Sequence, residues 1–213
     1  MTQVKICGLR DQTIARQLAD ATIQPAYVGF VFADSRRKVT MEQAQQLSRM
    51  LGSSMQKVGV FVNHSQDEIK TIAEFCQLDV LQLHGNESPE FCSALAEDLP
   101  KKIWKAFSVR SSIAVADIVA YRGSIDGMLL DTYDPKAAGG TGKPFDWSKI
   151  SEYRALLPEL PLIVAGGIRI QNVDELIHAY HPDLIDVSSG IEGDDGTQCF
   201  PSMISLLERV YSL

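Results

Sequence analysis

Short β-branched runs, each followed by a longer segment of helical spacing, constrain this chain more than any other feature of its sequence. The runs are Val4–Cys7, Tyr27–Phe32, Lys57–Val62, Val80–His84, Ile103–Phe107, Gly127–Asp131, Leu162–Ala165 and Leu184–Val187. The segments that follow them read as helices: Gln12–Ala21, Met41–Leu51, Gln66–Cys76, Pro89–Asp98, Ser112–Ala120, Trp147–Leu156, Gln171–Tyr180 and Phe200–Tyr211. Several open on cap signals, with Thr40 before Met41, Ser65 with Glu68 three residues on, Ser88-Pro89, and Asp146 before Trp147. Such alternation implies parallel strands joined by right-handed crossovers. The runs VGFVF, VGVFV and GMLLD are apolar throughout, as strands buried on both faces require. Eight such units within 213 residues predict an α/β fold, a (β/α)8 TIM barrel forming a single domain over residues 1–213. A doubly wound open sheet is the alternative, but no G-x-G-x-x-G follows the first run.

Composition bears on partners. The formal net charge is −7 and no basic stripe is present, which argues against nucleic acid. A small anionic molecule stays compatible, because glycine loops bind anions inside acidic proteins. No apolar run approaches the ~18–20 residues of a membrane span, and no signal-peptide core opens the chain. A cytoplasmic protein without membrane contact is expected, either monomer or homodimer. The cysteines Cys7, Cys76, Cys92 and Cys199 make neither C-x-x-C nor zinc spacing, so reduced thiols and no metal are expected. Cys76 and Cys92 fall on helical segments and read as small buried residues.

In a barrel of this kind, chemistry sits at the C-terminal ends of the strands and in the loops beyond them. The reactive residues of this chain gather there. Cys7 ends the first run, the arginines of DSRRKV follow the second, and Asn63 follows the third. His84 and Asp131 end the fourth and sixth, and AGG and SSG close the seventh and eighth.

Each has two readings. The Cys7 thiol, followed by Gly8, is either a nucleophile or base with a lowered pKa, or a residue filling the barrel. Asp131 is carried to a strand tip by an apolar run, where a dry pocket would raise its pKa and suit it to general-acid work. Its other reading is a cap for the long glycine-rich loop beyond. That loop contains AAGGTGK, but Pro144 after Lys143 breaks the P-loop spacing. Either it closes over a ligand, with Gly139, Gly140 and Gly142 as pivots, or it is a surface loop. Gly166, Gly167, Ser189 and Gly190, on adjacent strand ends, form a candidate phosphate cradle; tight turns would explain the glycines but not the pairing. One of Arg36 and Arg37 suits a substrate carboxylate, and the other is expected to be solvated. His84 lines the pocket or bonds backbone; His64, His178 and His181 read as surface residues.

Taken together, VKICGLR, GFVF…SRRKV, VGVFVN, LQLHGNE, LLDT, GGTGKPFDW, AGGI and DVSSGIE resemble the phosphoribosylanthranilate isomerase family, in order, from Val4 to Glu192. The resemblance implies an Amadori rearrangement of N-(5-phosphoribosyl)anthranilate to 1-(2-carboxyphenylamino)-1-deoxyribulose 5-phosphate, with no cofactor. It implies that Asp131, the aspartate of LLDT, is the acid that opens the furanose ring. It implies that Cys7, the cysteine of KICG, is the base at ribose C2, acting as a thiolate near neutral pH. The anthranilate-binding arginine of its S-x-R-x-V pattern falls on Arg37, after Ser35 and before Val39; Arg36 stands where other members carry proline or lysine. After SSGIE the chain reads GDDGTQCF, where many members carry a proline-glycine turn and a Lys-Asp pair. Two other readings are weighed. A histidine-pathway aminoaldose isomerase would use a pair of aspartates, whereas the first-strand position of this chain is Cys7. A non-catalytic phosphosugar-binding barrel would not need both proton-transfer positions filled.

Overall fold

The computed structural model describes residues 1–109, 115–132, 145–193 and 195–213. Its strands are β1 (Gln3–Cys7), β2 (Tyr27–Val31), β3 (Gln56–Phe61), β4 (Val80–Leu83), β5 (Lys102–Val109), β6 (Gly127–Thr132), β7 (Leu162–Ala165) and β8 (Leu184–Val187). All neighbours pair in parallel and in sequence order, and β8 returns to β1, closing a barrel. The helices are α1 (Gln12–Asp20), α2 (Met41–Leu51), α3 (Gln66–Cys76), α4 (Pro89–Asp98), α5 (Val115–Val119), α6 (Ile150–Arg154), α7 (Val173–Tyr180) and α8 (Phe200–Tyr211). This is the (β/α)8 barrel that the alternation predicts. Among the described residues no helix is long and apolar enough to cross a membrane.

The cap signals act as read. Thr40 with Gln43 and Ser65 with Glu68 each form a reciprocal capping box, a device worth about 1 kcal/mol. Ser88 accepts from the Phe91 amide ahead of Pro89. Asp146 accepts from the Ser148 amide, but the turn it starts, Trp147–Lys149, is a 3-10 turn before the short α6. The predicted sixth helix is therefore shorter than its sequence suggests, and Pro158 stands just beyond it. The start of the predicted fifth helix, residues 112–114, lies outside the described residues.

Strand parity positions the site. Val4, Ile6, Val28, Phe30, Leu81 and Leu130 point outward into the main core beneath the helices. The other parity faces inward. Near the strand starts it is apolar: Tyr27, Val58, Val80, Trp104, Ile163 and Leu184 fill the barrel, with Tyr27 and Trp104 in edge contact at 4.9 Å. Nearer the strand ends, on the inward faces, stand Lys5, Cys7, Gln82, His84, Asp131 and Asp186. The interior thus turns from apolar to ionisable along the strands. A packed floor stabilises the barrel, while its C-terminal mouth carries the polar groups.

Candidate active site

A cavity of about 490 Å³ opens at that mouth. Cys7, Arg36, Arg37, His84, Asp131, Gly166, Gly167 and Ser189 all line it, so the topology brings together residues from six strand ends. A larger cleft of about 910 Å³ opens beside the strand starts at Thr2, Tyr27 and Trp104, and none of the predicted site residues among the described ones lines it. Gly140 and Gly142, with Gly139, lie outside the described residues.

Cys7 is partly buried at the end of β1. Gly8 follows it with φ +80, and a Cβ there would sit 2.6 Å from the Arg37 Cδ. The cysteine-glycine pair therefore makes room for an arginine from the next loop. The thiol, however, departs from the expectation of a thiolate near neutral pH. Burial and the nearby Asp186 carboxylate push it up to about 11, against the pull of Lys5 and Arg37. The free protein holds a protonated Cys7. Cys199 differs: it is partly exposed, and hydrogen bonds with Ser202 hold its thiol below the usual range. Iodoacetamide at pH 7.5 is therefore expected to modify Cys199 well before Cys7. Peptide mass spectrometry checks the order, and preferential modification of Cys7 would contradict the protonated thiol.

Asp131 ends the buried face of β6, and its carboxyl is pushed up to about 6, chiefly by burial and secondarily by Asp186, against a 2.7 Å bond from the Thr132 amide. Gly166 (φ +84) allows this crowding, since a Cβ there would lie 2.2 Å from Thr132 Oγ1 and 2.8 Å from Asp131 Oδ1. His84 Nε2 stands 3.4 Å from Asp131 Oδ2. Burial and then Lys105 lower the imidazole to about 4, so it is neutral at pH 7. Of the two readings of His84, its ring takes the pocket position, while its backbone amide bonds Phe61. The loop that carries it is held from behind by buried Lys105, which donates to Gly85 O at 2.8 Å and pairs with Glu87 at 3.3 Å. Asn63 ties the neighbouring loop to this one through Asn86 and Glu87 and stays off the cavity wall.

Arg37 and Arg36 differ sharply. Arg37 is 9% exposed, and its Nε and Nη2 donate to Glu192 at 2.7 and 2.9 Å in a fork-to-fork pair. The Arg36 side chain is 54% exposed and reaches the same carboxylate from outside. Glu192 thus orients the arginine that sequence assigns to a carboxylate. In the candidate cradle, Gly166, Gly167 (φ +66) and Ser189 line the cavity. Gly190 does not: it lies in the 3-10 turn Ser189–Ile191, where a Cβ would meet the Ile168 carbonyl at 1.9 Å. Its lack of a side chain lets the two loops pack this closely.

Residues 4–209 match the family described as N-(5'-phosphoribosyl)anthranilate (PRA) isomerase. The chain belongs to this family. The N-(5'-phosphoribosyl)anthranilate isomerase of Brevibacillus brevis is 39% identical over 211 residues, 99% of this chain and 94% of the relative. Among solved structures, monomers generated from the dimeric phosphoribosylanthranilate isomerase of Thermotoga maritima superpose with a TM-score of 0.84 at 33% identity, covering 100% of both chains. A phosphoribosylanthranilate isomerase in complex with reduced 1-(o-carboxyphenylamino)-1-deoxyribulose 5-phosphate superposes with 0.82 at 31% identity, again covering 100% of both chains.

Within this isomerase barrel, sequence reasoning missed Lys5, Gln82, Asp186 and Glu192. The first three sit inside apolar runs, two residues before Cys7, His84 and Ser188, and period-two alternation puts them on the same inward face. A polar residue two positions before a reactive one, within a strand, was the available signal. For Glu192 the motif was visible, but its partner Arg37 lies 155 residues away.

Proposed function

We infer that this isomerase converts N-(5-phosphoribosyl)anthranilate to 1-(2-carboxyphenylamino)-1-deoxyribulose 5-phosphate, a step of tryptophan biosynthesis, by acid–base catalysis at Asp131 and Cys7. The observation that carries the assignment is that a carboxyl raised toward neutrality, a thiol and a buried arginine all line one cavity. Asp131 gives its proton to the furanose ring oxygen as the C1–O bond breaks. The anilino nitrogen lone pair closes onto C1 and forms an iminium cation. Cys7 then takes the C2 proton; the C–H pair becomes the C1=C2 bond, and the iminium π pair returns to nitrogen. The enolamine reaches the ketone by losing the C2 hydroxyl proton and gaining one at C1. A positive iminium beside C2 makes that proton acidic enough for a modest base. Neutral His84 adds no second cation beside Asp131.

Arg37 holds the anthranilate carboxylate, and Gly166, Gly167, Ser189 and Gly190 receive the phosphate. The fluorescence of freshly made phosphoribosylanthranilate tests the reading. Protein-dependent conversion at a rate proportional to protein is expected; binding without conversion would favour the non-catalytic barrel. For Arg37→Ala, KM is expected to rise at least about tenfold with a smaller loss of kcat. For exposed Arg36→Ala, both constants are expected to stay within about threefold. The reverse order of effects would exchange the roles of the two arginines.

A further inference from the structure

Lys5 stands two residues before Cys7 on the same face of β1, and the strand register places it beside Asp186 of β8. Its side chain is fully excluded from solvent. The ammonium donates to Asp186 Oδ2 at 2.7 Å, to Gln82 Oε1 at 2.7 Å and to Cys7 Sγ at 3.2 Å, so each of its three protons has an acceptor. Gly29 of β2 leaves space for this contact, since a Cβ there would lie 2.9 Å from both Cys7 Sγ and Lys5 Cε. Burying an ammonium costs several kcal/mol unless it is paired and fully hydrogen-bonded. Asp186 and Gln82 meet most of that need. The third bond goes instead to the sulfur that faces the cavity. Asp186 Oδ1, by contrast, is buried and has no hydrogen-bond partner among the described residues.

We propose that Lys5 is a positioning residue for the thiol base: its ammonium, locked between Gln82 and Asp186, supplies the counter-charge that makes the Cys7 thiolate accessible during turnover, while Asp186 keeps that thiolate scarce in the empty site. The proposal rests on the reading of Cys7 as the base. In the empty site the charges of Lys5 and Asp186 cancel, and the thiol is neutral. When the thiol proton passes to solvent, the sulfur anion lies against the ammonium. The anion then takes the C2 proton as the C2–H bond breaks, which restores the thiol and the initial charges. The charged groups acting on Cys7 come from three elements: Lys5 on β1 and Arg37 beyond β2 favour the anion, and Asp186 on β8 opposes it. Burial works against the Lys5 cation, yet Asp186 and Cys7 together hold its pKa above the usual value, so the charge persists at working pH. A thiol restrained in this way is protected from oxidation and alkylation between turnovers.

The test is the rate of Cys7 alkylation by iodoacetamide at fixed pH, read by peptide mass spectrometry in a Cys199→Ser background. Well below the thiol pKa this rate is proportional to the thiolate present, and no substrate is needed. Lys5→Met is expected to slow alkylation at least about tenfold, and Asp186→Asn to accelerate it by a similar factor. Turnover of Lys5→Met is expected to fall about 10²-fold in kcat, with KM within about threefold. Lys5→Met leaves Asp186 buried and uncompensated. If circular dichroism shows that it does not fold, the comparison becomes Lys5→Met/Asp186→Asn against Asp186→Asn, where the same slowing is expected. A slowing of threefold or less in the folded comparison overturns the proposal, and any larger slowing supports it. Full turnover by Cys7→Ala would remove the base itself, whereas an unchanged alkylation rate would remove only the role of Lys5.

Discussion

Cys7→Ala is expected to lose about 10³-fold or more in kcat, with KM within about threefold. A group that moves one proton in the rate-determining chemistry contributes roughly 10²–10⁴-fold. The loss falls at the upper part of that range because, among the described residues, neither His84 nor Lys5 is placed to take over. His84 is held near 4 by burial and Lys105, so it is neutral, yet its ring belongs to the Asp131 side of the cavity at 3.4 Å. Lys5 keeps its proton because Asp186 sits 2.7 Å away. In the proposed reading, substrate binding rests on Arg37 and the glycine turns and not on the sulfur, hence the small change expected in KM. Initial rates across substrate concentration measure both constants. Full kcat in a folded Cys7→Ala variant would assign the base elsewhere.

Asp131→Asn is expected to lose turnover on the same scale while gaining stability above pH 6. The two effects have one cause. Burial raises the folded-state carboxyl from the ordinary 3.8 to about 6, so the folded protein binds a proton that the unfolded chain has already released. Stability contributed at this position is thus fully present below pH ~4 and is lost as pH rises through about 6. At 1.36 kcal/mol per pH unit, the ionised side chain costs the fold up to about 3 kcal/mol at pH 8. Asparagine removes that charge, and its carbonyl oxygen can still accept from the Thr132 amide. Asp131→Asn is therefore expected to raise Tm by several degrees at pH 8 and by almost nothing at pH 4. Thermal unfolding at the two pH values gives the comparison. An equal shift at both, or none at pH 8, would show that the carboxyl is not held in a raised-pKa state. A carboxyl held in this way is suited to general-acid work at the expense of the scaffold.

The barrel was readable because alternation of two hydrophobic periods leaves few architectures, and because strand order in a closed parallel sheet follows chain order. The same topology made Cys7, Asp131 and the arginine loop readable as one cluster, since every strand end meets at one mouth. What remained hidden depends on neighbours brought together only by closure of the barrel. The protonation of Cys7 is set by burial and by Asp186, which β8 delivers beside β1. A thiol next to glycine and a helix start gave no sign of that carboxylate. The orientation of Arg37 likewise depends on Glu192, and the lack of a side chain at Gly190 is required by the Ile168 carbonyl of another loop, a contact the sequence does not show. Lys5, Gln82 and Asp186 sat in plain view, but a polar residue inside an apolar run is easily absorbed into the strand that carries it.

The most direct measurement is a crystal structure of this chain with reduced 1-(o-carboxyphenylamino)-1-deoxyribulose 5-phosphate. Reacting atoms held for attack lie roughly 3–3.5 Å apart. The sugar carbon C2 is therefore expected at about that distance from Cys7 Sγ, with Asp131 in hydrogen-bond reach of the C4 hydroxyl, the former ring oxygen. The ligand carboxylate should meet Arg37. A ligand bound in the reverse sense, with its phosphate on Arg37 and C2 far from the sulfur, would contradict the assignment of acid and base.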